Sequence, residues 1–72
     1  MYLFLWIITI KSGEGSEIVA GKVREAGFTD DGASFNRFLV DNGYDKKLKI
    51  GDHEIPKDAS FEEIAKSLCG IQ

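Results

Sequence analysis

The chain has 72 residues, 43% of them hydrophobic and 29% charged, which is the balance of a folded single domain and not of a disordered segment. A chain this short buries only about 60% of its unfolded surface, so its core is small. Twelve acidic residues against nine basic ones leave a net charge of −3, which argues against nucleic acid as a partner because phosphate binding needs a basic surface.

Residues 2–10 form a candidate strand, rich in aromatic and β-branched types. Alternation places Tyr2, Phe4, Trp6, Ile8 and Ile10 on one face and Leu3, Leu5, Ile7 and Thr9 on the other. Both faces are apolar, although a domain this small easily covers only one. The excess marks Leu3, Leu5, Trp6 and Ile7 as a candidate interface, for a second copy of the chain or another protein. The run is too short to cross a bilayer, which takes about 20 residues, and it lacks the basic start and cleavage site of a signal peptide.

Lys11-Ser12-Gly13 leads into a polar turn, and helix 1 is expected over residues 16–26, capped by Ser16 or Gly15 and stopped by Gly27 in a left-handed conformation. Gly21 in its interior predicts a close-packed neighbour, since glycine there is unfavourable otherwise. Phe28-Thr29 links to helix 2, for which Asp30 or Asp31 is the cap, Phe35, Phe38 and Leu39 the apolar stripe, and Asn42-Gly43 the end.

A second strand is expected from Lys46, with Leu48 and Ile50 on one face; Gly51-Asp52 either bends it or turns a small hairpin, and the bent strand is preferred. The cluster Lys46, Lys47 and Lys49 reads as a solvated face. Asp52, His53 and Glu54 suggest a metal or acid–base group, but in a strand His53 points away from both neighbours. Pro56 closes the strand.

Ser60-Phe61-Glu62-Glu63 is a capping box, and Phe61, Ile64, Ala65 and Leu68 form the stripe of helix 3, stopped by Gly70. Its acids suit the positive helix start and are no catalytic pair. Ile10, Val19, Ala20 and Val23 recur 45 residues on as Ile55, Ile64, Ala65 and Leu68. Two copies make no solenoid, and similar packing needs explain the echo.

With His53 the one histidine and Cys69 the one cysteine, an internal disulfide is excluded and so is a zinc site from this chain alone. No cofactor motif stands out: Gly13-x-Gly15 has Ile18 where a dinucleotide fingerprint has its third glycine. The order of elements makes an α+β domain over residues 1–72, β-α-α-β-α, with a two-stranded antiparallel sheet.

Four stretches together carry a family resemblance: S-G-E-G-S-E-I-V-A-G-K-V-R-E-A-G-F from Ser12, F-x-x-F-L-x-x-x-G from Phe35, L-K-I-G-D-H-E-I-P from Leu48, and S-F-E-E-I-A-K-S-L-C-G from Ser60. The strand–turn–helix start resembles a LysM repeat, and the whole of residues 8–70 resembles the LysM-like module of the YceG-like family, the endolytic murein transglycosylases. Family members carry an S-G…I-A…L…A-G helix, a Phe-led helix, an L-x-x-G-x-Y-x-I-P strand and an S-x-x-E-I-x-x-L-x-G helix. Here His53 stands in the tyrosine's place, and Thr29 replaces an apolar residue, which would loosen the packing after helix 1.

The resemblance implies a module on the extracytoplasmic side of the bacterial cell envelope, tethered through a membrane segment outside this chain, of which residues 1–8 are a membrane-proximal remnant. It implies binding to peptidoglycan or another N-acetylglucosamine-containing glycan, at Gly13, Glu14, Gly15 and Ser16 together with Gly43, Tyr44 and Asp45. The family's catalytic domain has no counterpart up to Gln72, whether the chain is a fragment or a short relative. No catalytic residue, metal site or cofactor is therefore expected, and the chain is expected not to be an enzyme by itself.

Overall fold

The computed structural model describes residues 5–71, with the side chain of Leu5 left out. The expected strand residues Tyr2, Leu3 and Phe4 lie outside the described residues. Strand β1 (Leu5–Ile10), helices α1 (Ser16–Glu25) and α2 (Gly32–Asp41), a 3-10 turn (Tyr44–Lys46), strand β2 (Gly51–Pro56) and helix α3 (Phe61–Cys69) follow in order. The strands pair antiparallel, from Leu5 opposite Pro56 to Ile10 opposite Gly51. This is the expected α+β fold, β-α-α-β-α.

One face of the sheet is covered. Ile8, Ile10 and Ile55 are buried with Val19 and Val23 of α1, Phe35 and Leu39 of α2, and Ile64 and Leu68 of α3. Ile7, Asp52 and Glu54 on the other face are exposed. All eight residues of the 45-residue echo are buried: each half sends a strand and the inner stripe of a helix into one shared core.

The helix ends follow their local chemistry. Gly15 stands at the start of α1 without a side-chain cap. At its end, Gly27 N–H donates to Arg24 O and Phe28 N–H to Val23 O, a Schellman motif that requires the φ of +92° found at Gly27. Asp31, and not Asp30, caps α2, accepting from Ser34 N–H at 3.0 Å. The Thr29 hydroxyl accepts from Asp31 N–H, so its polarity serves the turn that sets up this cap.

Helix α3 begins with the expected capping box: Glu63 N–H donates to Ser60 Oγ while Ser60 N–H donates to Glu63 Oε1. Ser60→Ala is expected to lower stability by about 1 kcal/mol. Urea titration followed by circular dichroism measures it, and an unchanged midpoint would rule the cap out as a stabilising element.

Three expectations need correction. The second strand does not begin at Lys46. Residues 44–46 form the 3-10 turn, Lys49 N–H is taken by Leu68 O at the end of α3, and Ile50 is 68% exposed. The ladder reaches Ile10 opposite Gly51, and residues before Gly51 have no strand to pair with. Gly51 therefore starts the strand; it neither bends it nor turns a hairpin. Finally, nothing packs against Gly21: a Cβ added there would meet no atom within 4 Å.

Candidate functional site

Because Ile10 pairs with Gly51, the loop leaving β1 and the loop entering β2 meet the sheet at the same end. The segments that carry the two candidate glycan loops therefore both join that end of the sheet. Gly13 takes a φ of +85°, and Glu14 N–H closes the turn onto Lys11 O. The Glu14 carboxylate then accepts from Lys22 Nζ at 2.7 Å and from Lys11 N–H at 2.8 Å. The Lys22 ammonium, helped by the Lys11 N–H, holds the Glu14 carboxyl below its ordinary range. Lys22 also donates to Thr9 O, so one ammonium ties the turn, the strand end and α1 together. Glu14 is committed to ordering the loop, while Gly13 and Gly15 lie exposed and Ser16 opens α1.

Gly43, at φ +74°, turns the chain out of α2. Tyr44 is half-buried; its ring lies 6.0 Å from that of Phe38 at 29°, and its carbonyl accepts from Lys47 N–H and from the Cys69 thiol. Burial raises the pKa of that thiol, which keeps it protonated as the donor. Asp45 is half-buried in the same turn. Among the described residues no hydrogen bond or ring contact joins Gly13–Ser16 to Gly43–Asp45.

Of the candidate interface residues, Trp6 is 49% and Ile7 54% exposed. Leu3 and the Leu5 side chain fall outside the described residues. Trp6 is not sealed in the core: Lys57 Nζ lies 5.0 Å from the ring centres of both Trp6 and Phe28 and donates to Ala26 O. Asp52 and Glu54 are exposed while His53, opposite Ile8, is half-buried with Nε2 against Lys49 O at 2.7 Å, so the three do not converge. Among the described residues no group of three potential metal ligands comes together, and no helix is long and apolar enough to cross a membrane.

Two recesses are formed among the described residues. A shallow one of about 350 Å³ runs between β2 and the end of α3, by His53 and Ser67. A larger groove of about 530 Å³ lies between α1 and α2, walled by Glu17, Gly21 and Arg24 on one side and by Asp30, Asp31 and Asn36 on the other. Gly21, a mid-helix glycine, lies open on its lining and not against a packed neighbour.

No family model matches the chain. An uncharacterized protein of Bacillus subtilis (strain 168), YqzC, is 31% identical over 61 residues, which are 85% of this chain and 40% of that protein. Among solved structures, a YceG-like protein of Listeria monocytogenes superposes with a TM-score of 0.84 over 96% of this chain, at 14% identity. The fold is shared. The chain spans 22% of that protein's length, as it spans 40% of the Bacillus one.

Proposed function

We propose that this chain is a non-catalytic, cell-wall-associated module of the YceG-like type that binds or positions peptidoglycan glycan strands on the extracytoplasmic side of a bacterial envelope. The observation that carries the reading is the fold, shared over nearly the whole chain with part of a YceG-like protein. The four sequence stretches that resemble the LysM-like module supply the second support. Glycan contact falls to the two loops at one end of the sheet. The Gly13–Ser16 turn, held in shape by Glu14 and Lys22, presents backbone N–H and C=O groups to acetamido groups. Tyr44, with one side of its ring toward Phe38, offers its remaining surface to a sugar ring. Transglycosylation is assigned to no residue of this chain, and any membrane tether to a segment outside it.

Titration of labelled protein with chitin or muropeptide oligomers tests the reading. Amide shifts are expected at residues 11–17 and 43–45, with weak binding. No shifts at these loops at millimolar sugar would sink it.

A second reading, a homodimer or a protein-interaction module, rests on Trp6 and Ile7, both about half exposed on a strand whose outer edge is unpaired in a two-stranded sheet. Sedimentation of the same samples decides this: a monomer at high micromolar concentration removes the homodimer.

A further inference from the structure

Among the basic residues, Lys22, Arg37 and Lys66 sit in ion pairs with Glu14, Asp41 and Glu62, and Lys57 is engaged by Ala26 O. Lys46, Lys47 and Lys49 have no ion pair among the described residues, and all three are exposed. This short run locally reverses the net charge of −3 that the chain carries. A solvated face does not explain where the run stands. It follows directly on Tyr44, the aromatic residue of the second candidate glycan loop.

Lys49 has a structural task. Its N–H donates to Leu68 O, and its stem lies along Gly70, where an added Cβ would come within 3.0 Å of Lys49 Cδ. It thus stands by the end of α3, the negative pole of that helix. Among the described residues no hydrogen bond or ion pair holds the Lys46 or Lys47 ammonium. Burial raises the pKa of the Cys69 thiol and the Lys47 charge opposes it, while that thiol donates to Tyr44 O. Lys47 is therefore within electrostatic reach of Tyr44 in space as well as next to it in sequence. The loop's own counter-charge is Asp45, half-buried and in no ion pair among the described residues. Two free ammonium groups against one carboxylate leave the surroundings of Tyr44 positive, which selects an anion.

We infer that the Tyr44 loop recognises a glycan through a carboxylate next to the sugar that Tyr44 contacts, with Lys46 and Lys47 as its cationic partners. This rests on the glycan reading above and names the form of glycan preferred. Peptidoglycan carries such a group on alternate sugars, on the lactyl ether of its muramyl residues or on the stem peptide attached there. Chitin, uniformly N-acetylglucosamine, has none. Exposed ammonium–carboxylate contacts give roughly a two- to fivefold gain in affinity. That separates the two polymers without making binding tight.

Three probes of equal glycan length are titrated into labelled protein: a peptide-free glycan with free lactyl carboxylates, the same glycan with these converted to methylamides, and one carrying stem peptides. Shifts at the amides of residues 43–47 are expected with all three. The free acid is expected to bind roughly two- to fivefold tighter than its methylamide. High salt should shrink that difference, and the double variant Lys46→Gln, Lys47→Gln should abolish it. Both positions are exposed, so the variant is expected to melt with the parent. A gain confined to the stem-bearing probe would support the inference and assign the carboxylate to the peptide. Equal affinity for all three probes, or a preference that the double variant keeps, would overturn the inference, while shifts at residues 43–45 would leave the glycan reading standing. Absence of shifts with every probe would remove both.

Discussion

Replacing Phe35 with alanine is expected to cost about 3–5 kcal/mol and to leave much of the chain unfolded in mild denaturant. Phe35 is fully buried on α2. Its ring meets Phe61 of α3 edge to face at 5.1 Å and stacks near Phe38 at 6.5 Å. It therefore fastens α2 to α3 in a core of about a dozen side chains. Domains have a stability of roughly 0.05–0.15 kcal/mol per residue, so a loss of this size takes a large part of what so short a chain possesses. Phe35→Leu, which keeps most of the volume, is expected to cost less than about 1.5 kcal/mol. Urea unfolding followed by circular dichroism measures both. An alanine variant with a midpoint close to the parent's would mean that α2 is not anchored through this ring.

The second large effect is expected at Gly27. Its φ of +92° closes the Schellman motif of α1, and a β-branched residue in the left-handed region costs about 1–2 kcal/mol. A Cβ there would also come within 3.0 Å of Lys57 Nζ. The flexible ammonium would yield at little steric cost, but it would leave the Ala26 carbonyl and the faces of Trp6 and Phe28. Losing the ring contacts adds about 0.5–1 kcal/mol. Gly27→Val should therefore destabilise by about 2–3 kcal/mol, the sum of the backbone and ring losses. Gly27→Asn, which tolerates this backbone, should lose about half as much. Trp6 is the one tryptophan, so its emission reports on Lys57 directly. Equal stability of the valine and asparagine variants would show that backbone conformation is not the cause.

Local chemistry was legible wherever a few neighbouring residues settle the outcome. Ser60 and Glu63 complete their capping box within a single turn, and Gly27, Gly43 and Gly70 stop the chain where the apolar period ends. For the candidate glycan loops, only their place along the fold was legible. Their segments join one end of the sheet because strand order and antiparallel pairing place them there. That Glu14 is occupied by Lys22, eight residues on, depends on how α1 folds back over the turn.

By itself the sequence determined the order of the two strands and three helices and the inner stripes of the helices, because periodicity and caps act over three or four residues. The eight residues of the 45-residue echo follow from similar packing needs, and all of them are buried. Only the tertiary structure decided where β2 begins. Lys46 to Ile50 has the alternation of a strand, but strand is a pairing, and β1 supplies partners only from Gly51 onward. Likewise Gly21 could be read as tight packing or as open space, since a missing side chain leaves the same mark for both. The packing of α1 against its neighbours leaves that space open.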